Sequence, residues 1–313
     1  MYSDFRIEIE NIYKENESYY KDDRGQGMLR GMLRNFPHEW LYICELIQNA
    51  IDVQAKNIKI SSCKDEFVFE HDGDPFVYKN VRGLCTLGLS SKGVSTVGFM
   101  GIGFKSVFRC FEKATIYSGR YKFSLLVKTL ETKLGPVPDI IGSILPIWDE
   151  HAEPPSEDMT TRIELSTRIS TKSVGQHIEE VWNPERNILP LLAHAGIMSF
   201  QWNDDVWKLD TSALEESNNK GFLLTAQNNY NGCEERWVLF ENEYHPSDIA
   251  KQEFMKHRDL HPKDDEEAEK YLQEMNKPRK VGIFFSVDKN LTPLLTNTAY
   301  TQIITINKNI NRL

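Results

Sequence analysis

"WLYICELIQNAIDV", residues 40–53, is the stretch that decides the fold. At about 100° per residue its apolar side chains gather on one broad face, which predicts an amphipathic helix between Pro37 and about Lys56. That face consists of Ile43, Leu46, Ile47, Ala50, Ile51 and Val53. Glu45, Asn49 and Asp52 share the opposite stripe. Because apolar residues flank this stripe, we expect it to be partly covered.

A carboxylate and a carboxamide one helical turn apart suit a magnesium nucleotide. The oxygen of Asn49 can ligate a hard cation. The carboxylate of Glu45 can orient and deprotonate water. The alternative interpretation of the same residues is a polar helix face exposed to solvent.

Further along, "TVGFMGIGFKSVF" (96–108) is a glycine-rich stretch that leads into a helical pattern. Its glycines are Gly98, Gly101 and Gly103. A Walker loop requires Gly-Lys-Ser/Thr in direct succession, but Phe104 separates Gly103 from Lys105. A dinucleotide fingerprint requires a third glycine where Ser106 stands. The remaining interpretations are a phosphate loop whose N–H groups face an anion, with Lys105 beside it, or a plain glycine turn before a core helix.

Composition excludes several classes of protein. The chain has 313 residues and a formal net charge of -9, which does not indicate a nucleic-acid partner. The five cysteines form no C-x-x-C pair, so neither a disulfide framework nor a zinc site is expected. The charged N-terminus lacks an apolar signal core, and no apolar run is long enough to span a bilayer. We therefore expect a cytoplasmic protein that does not associate with a membrane.

The pattern of elements predicts an α/β (α+β) fold in two domains. A helix is expected over 4–20, and strands at "NIKISS", "DEFVFEH", "EKATIYSG", "YKFSLLVKTL" and "TTRIELS". After about residue 170 the sequence changes to strand–turn–strand patterns. We place one domain at 1–168 and a second at 169–313, and one interpretation makes the chain the front part of a longer protein.

Four motifs stand in an order that resembles the GHKL ATPase superfamily, which includes gyrase B, a heat-shock chaperone class, histidine kinases and MutL. "ELIQNAIDV" resembles its N-box, "FEHDGDPF" its Asp-x-Gly-x-Gly motif, "TVGFMGIGFKSVF" its glycine-rich lid motif and "TTRIEL" its late Gly-Thr strand. The similarity is strongest to sacsin-like domains and covers about residues 35–166. It implies a two-layer Bergerat-type sandwich with a mixed, mostly antiparallel sheet, followed by a smaller transducer-like α/β domain.

The resemblance also implies roles for single residues. Glu45 matches the general base, Asn49 the magnesium-binding asparagine and Asp52 a supporting contact. Lys92 lies on the implied lid, and Thr161 matches the late threonine near the adenine pocket. The remaining implied nucleotide-binding residues are Gly73, Gly98, Gly101, Ile102, Gly103, Phe104, Lys105 and Ser106.

Two positions depart from the family pattern. The adenine-reading aspartate normally stands two residues before the glycine, where this chain has His71. Asp72 stands one residue before Gly73, and we expect Asp72 to read adenine after a local shift, with His71 as the alternative. Thr160 replaces the glycine of the late Gly-Thr pair.

The implied function is magnesium-dependent ATP binding and slow hydrolysis, in which ATP closes a lid over 77–100 and drives conformational change or dimerisation. The alternative is a nucleotide-sensing interaction module without meaningful turnover. A basic residue of the second domain completes such sites, and Arg258, Lys280 and Lys289 remain candidates. The expected partners are ATP, Mg2+ and a second copy or larger protein assembly. An antiviral role follows only by association with relatives in bacterial defence systems.

Overall fold

The computed structural model describes residues 3–20, 38–63, 66–86, 103–132, 135–170, 172–182, 187–214, 220–245, 247–249, 273, 276, 278–294 and 303–306. Within these ranges the helices are α1 (Ser3–Tyr20), α2 (Leu41–Asp52), α3 (Tyr78–Cys85), α4 (Val174–Val181) and α5 (Leu189–His194), with 3-10 helices at Gly103–Arg109 and Ile140–Ile144. In the same part of the chain, no helix combines the length and apolar character needed to cross a membrane.

A twelve-stranded, mostly antiparallel sheet forms the framework, so the fold is mixed α/β as predicted. Its strands follow the order β14-β13-β12-β11-β10-β9-β1-β2-β8-β3-β4-β7, and β5 and β6 form a separate hairpin. The strand bounds are β1 (Asn57–Cys63), β2 (Glu66–His71), β3 (Phe111–Ser118), β4 (Tyr121–Leu126), β5 (Lys128–Thr132), β6 (Gly135–Asp139), β7 (Ile147–Trp148), β8 (Thr161–Arg168), β9 (Ser199–Trp202), β10 (Asp205–Leu214), β11 (Lys220–Asn228), β12 (Glu234–Tyr244), β13 (Arg279–Ser286) and β14 (Ile303–Ile306).

Helix α2 lies along strand β2 on the covered face of the sheet. The ring of Tyr42 packs edge-on against Phe67, with ring centroids 5.3 Å apart. At the other end of the helix, the Asp74 N–H donates to the Val53 carbonyl at 2.9 Å. Successive side chains of a strand alternate between faces, so His71 shares the helix-covered face with Phe67. The C-terminal half of α2 therefore lies at the His71 end of β2.

Helix α1 covers the same core further along the sheet. Its Ile9 and Ile12 are fully buried. Asn16 is also buried, and its side-chain Nδ2 donates to the Cys85 carbonyl at 2.9 Å and to the Ile144 carbonyl at 2.7 Å. A buried amide with both N–H groups paired ties α1 to the end of α3 and to the second 3-10 helix.

The central helix is shorter than predicted. It ends at Asp52, and Gln54 has a φ of 61°, a left-handed conformation that stops helix propagation. The stretch 121–130, predicted as one strand, is divided between β4 and β5, because from Lys128 onward the chain pairs with β6. The helical pattern after Gly103 is present, as a 3-10 helix.

The large sheet continues across the predicted domain boundary. Strand β9 pairs in parallel with β1, and Asn57 stands opposite Ser199. All other pairings of named strands that the structure describes are antiparallel. The division into 1–168 and 169–313 stays a prediction.

Candidate functional site

The polar stripe of α2 is partly covered, as expected. Glu45, Asn49 and Asp52 are half-buried, while the opposite face carries buried residues of the core. These buried residues are Ile43, Leu46, Ile47 and Ala50. Tyr42, which stands seven residues before Asn49 and therefore on the polar side, is buried as well. A carboxylate and a carboxamide in this position are partly shielded from water, which strengthens their electrostatic interactions with a ligand.

The Glu45 carboxylate lies directly against Gly103. A methyl group added at Gly103 would overlap the Glu45 side-chain oxygens and carbon, so the close approach requires a glycine at this position. The last glycine of the glycine-rich stretch and the first polar residue of α2 are thus neighbours in space. They are separated by 58 positions in the sequence, the difference between residue numbers 103 and 45.

The 3-10 helix that follows Gly103 directs its polar side chains inward. The Ser106 hydroxyl donates to the Gly103 carbonyl at 2.7 Å. Lys105 is buried, and its ammonium group donates to the carbonyls of Leu84 and Ser143, the latter at 2.7 Å. Burial lowers the pKa of Lys105 to about 8, although the Cys85 thiol opposes the shift. Lys105 therefore anchors the helix to two neighbouring segments, whereas the sequence suggested a contact with an anion.

Gly73 brings the end of β2 against the end of α2. A Cβ atom at this position would lie 2.7 Å from the Val53 carbonyl oxygen, 2.8 Å from Val53 Cγ2 and 3.0 Å from the Ala55 nitrogen. Two of these three atoms belong to the backbone and cannot rotate away. The glycine of the "HDG" segment is therefore required for packing.

Gly73→Ala is expected to lower the free energy of unfolding by about 1–3 kcal/mol, because the methyl group overpacks a contact between backbones. Urea unfolding measures the change. Gly221→Ala is the matched control, since a Cβ there would meet only side chains, at 3.5 Å or more. Equal free energies of unfolding for Gly73→Ala and the wild type would show that the backbone around Val53 and Ala55 shifts to accommodate the methyl group at little cost.

The Asp72 carboxylate is directed toward the turn between α2 and β1. Its Oδ1 accepts from the Lys56 N–H at 2.7 Å and the Asn57 N–H at 2.8 Å, and its Oδ2 accepts from Asn57 Nδ2 at 2.6 Å. Partial burial raises the pKa of Asp72, but these hydrogen bonds outweigh it and hold the pKa below its usual value. The hydrogen bonds give Asp72 a structural role that the sequence did not indicate.

His71 belongs to a row of buried polar side chains across three strands. It stands opposite Thr161, which in turn stands opposite Ser118. The two hydroxyl oxygens of Thr161 and Ser118 are 2.6 Å apart, and Ser118 also accepts from the Phe76 N–H at 2.8 Å. Ser118 was not among the predicted site residues.

Burial lowers the pKa of His71 to about 4 from 6.5, against the opposing effect of the Asp72 charge. As pH falls through this window, the unfolded chain takes up a proton that the folded chain does not, so stability is lost below about pH 6.5. His71→Asn should lessen the loss between pH 7 and pH 5 by about 2 kcal/mol. Urea unfolding of both proteins at the two pH values measures this change. If the free energy of unfolding falls equally in both proteins between pH 7 and pH 5, His71 does not have the lowered pKa.

Several predicted residues lie outside the described residues. These are Lys92, Gly98, Gly101 and Ile102, together with Arg258 of the second domain. The part of the site that the structure describes consists of α2, the 3-10 helix from Gly103 and the polar ends of β2, β8 and β3. Phe104, a further predicted residue, is buried in the core.

A second polar cluster lies near the start of α2. Glu39, Cys110 and His177 each offer one atom that could ligate a metal ion, and these three atoms lie within 4.8 Å of one another. These groups already bond to protein atoms: Glu39 Oε2 is 3.3 Å from His177 Nε2, and the Ser170 hydroxyl donates to Glu39 Oε2 at 2.7 Å. The cluster thus connects α4 to the start of α2 through hydrogen bonds between protein groups.

No family model matches the chain. A curated relative, Protein NO VEIN of Arabidopsis thaliana, is 30% identical over 115 residues, which cover 34% of this chain and 4% of that protein. The chain therefore matches only a small part of that relative's length. A solved N-terminal domain of a DNA repair protein is 15% identical, with a TM-score of 0.33 and coverage of 61% of this chain and 68% of that chain. This structural similarity is too low to assign the fold.

Proposed function

We propose that the chain binds and slowly hydrolyses a magnesium nucleoside triphosphate, ATP being the nucleotide that its resemblance to the GHKL ATPases implies. One observation carries the proposal. The half-buried carboxylate of Glu45 lies against the Cα of Gly103, and Asn49 follows one turn later on the same helix. The proposed general base, the proposed metal ligand and the last glycine of the glycine-rich stretch are then neighbours, which supports the proposal.

The residues fit a magnesium nucleotide. Asn49 offers a neutral oxygen ligand, which suits an ion that is otherwise held by phosphate oxygens and water. When bound, Mg2+ supplies positive charge that stabilises the charge developing on the phosphate oxygens. Glu45 is the group that holds the attacking water and accepts its proton. Gly103 allows backbone and ligand to approach the carboxylate closely, because it carries no side chain.

The finer fold assignment is part of this proposal. The chain would form a Bergerat-type two-layer sandwich followed by a transducer-like domain. Helices α1 and α2 on one face of a mostly antiparallel sheet support it. The nucleotide would close the lid over 77–100, of which residues 87–100 lie outside the described residues, and would favour dimerisation, since binding that closes a loop also changes the neighbouring surface.

Lys105 stabilises the base of this site. Its ammonium group bonds to the Leu84 carbonyl near the end of α3 and to the Ser143 carbonyl of the second 3-10 helix. It thereby fixes the position of the 3-10 helix that begins with Gly103. We assign Lys105 a positioning role and leave phosphate contacts to backbone N–H groups, as at other glycine-rich loops.

Gly103→Ala tests the central contact. The added methyl group displaces the Glu45 carboxylate, which is the flexible end of a side chain, so the fold should persist. We expect phosphate release to fall about a hundred-fold, because a displaced catalytic group loses its alignment with water. The free energy of unfolding should change by less than about 1 kcal/mol.

Gly175→Ala is the matched control, because a Cβ there would meet nothing closer than 3.7 Å. It should release phosphate at the wild-type rate. If Gly103→Ala also hydrolyses the nucleotide at that rate, Glu45 does not act from the position that the structure gives it.

A further inference from the structure

The buried row His71, Thr161 and Ser118 places polar groups on a sheet face that is mostly apolar around them. All three residues are at most 2% exposed. The row lies at the end of β2 beside the C-terminal half of α2, where Val53 and Gly73 are in contact. Asn49, the proposed magnesium ligand, stands one turn before Val53. A nucleotide held by Asn49 therefore has this row within reach of its base.

The hydrogen bond of the His71 ring determines which nitrogen carries the proton. The Gly73 N–H donates to His71 Nδ1 at 3.2 Å, so Nδ1 is an acceptor and Nε2 is the N–H of the neutral ring. Among the described residues, no hydrogen-bond partner of Nε2 is present. The lowered pKa of His71 keeps the ring neutral at pH 7.

Asp72 does not replace His71 at this position. Both of its carboxylate oxygens accept hydrogen bonds from Lys56 or Asn57, on the side of the turn between α2 and β1. Turning it toward a base would break these three hydrogen bonds to a charged acceptor, at a cost for each bond lost. His71 is thus the side chain available to read the base edge, and it offers a donor where a carboxylate would offer an acceptor.

We propose that His71 donates its Nε2–H to the base, and that the site consequently binds 6-oxo purine triphosphates at least as tightly as ATP. The 6-amino group of adenine is itself a donor and cannot accept this hydrogen bond, whereas the 6-oxo group of guanine or hypoxanthine can. The Thr161 hydroxyl can either donate or accept a hydrogen bond, so it does not discriminate between 6-amino and 6-oxo purines. The inference rests on the proposed nucleotide-binding function.

Calorimetric titration of the whole chain with magnesium complexes of ATP, GTP and ITP tests it. ITP lacks the 2-amino group of GTP, so it isolates recognition of the 6-oxo position. In the wild type, GTP and ITP should bind at least as tightly as ATP. In His71→Asp, the preference should shift toward ATP by about ten-fold or more, because the carboxylate accepts from the 6-amino group. His71→Asn offers both a donor and an acceptor and should fall between them.

His151→Ala, which removes an exposed histidine, is the control and should keep the wild-type ranking. A wild-type preference for ATP of ten-fold or more overturns the inference and leaves the proposed function standing. An unchanged ranking in both His71→Asp and His71→Asn also overturns it. Failure of all three nucleotides to bind overturns the proposed function, and the inference with it.

Discussion

Glu45→Ala is expected to lower phosphate release by about a hundred-fold or more while nucleotide affinity stays within a few-fold of the wild type. The carboxylate acts on the attacking water, so its loss raises the barrier to hydrolysis and leaves ground-state contacts with the phosphates in place. Its position against Gly103 motivates the expectation. Phosphate release under single-turnover conditions measures the rate, and calorimetry measures the affinity.

Glu45→Gln separates loss of the base from loss of volume, because the amide keeps the shape of the side chain and cannot take up the proton. It should be as inactive as Glu45→Ala. Glu66→Gln changes an exposed carboxylate at the start of β2 and should leave the rate unchanged. Hydrolysis at the wild-type rate in both Glu45 variants would refute the assignment. If the wild-type chain binds nucleotide but releases phosphate no faster than Glu45→Gln, the protein is a nucleotide-sensing module.

Asn49→Ala is expected to weaken binding of the magnesium nucleotide by about ten-fold or more, because alanine offers no oxygen to the cation. The loss should depend on the metal. With EDTA present, the wild type and Asn49→Ala should bind the free nucleotide with similar affinities. Titrations with and without Mg2+ measure both effects.

Asn229→Ala removes an exposed carboxamide and is the matched control for this substitution. Its titrations should match those of the wild type in both conditions. An unchanged dissociation constant for the magnesium nucleotide in Asn49→Ala would remove Asn49 from the metal site. An equal loss with and without Mg2+ would mean that the asparagine contacts the nucleotide itself.

The elements near the site could be predicted from local periodicity. The apolar face of α2 is present, with Ile43, Leu46, Ile47 and Ala50 buried, and the alternation in β1 and β2 gives the expected strands. Helix α4 was missed although its start carries a readable signal. Ser173 accepts from the Gln176 N–H at 3.1 Å, and Gln176 Oε1 accepts from the Ser173 N–H at 2.8 Å, which is a capping box.

The roles of polar residues depended on contacts that local patterns do not encode. The position of Lys105 just after a glycine-rich stretch predicts a contact with an anion. In the structure its ammonium group instead donates to the carbonyls of Leu84 and Ser143, 21 and 38 residues away. Asp72 similarly bonds to Asn57, 15 residues away. A buried donor or acceptor must find a partner, and the folded chain, rather than the local sequence, determines which partner is near.

Titration of magnesium nucleotide into the purified chain, with phosphate release recorded in parallel, tests the central claim most directly. The account predicts saturable binding that weakens by about ten-fold or more when Mg2+ is removed, and slow phosphate release that disappears in Glu45→Gln. Absence of binding for ATP, GTP and ITP at millimolar concentrations, in a chain that unfolds cooperatively, would contradict it.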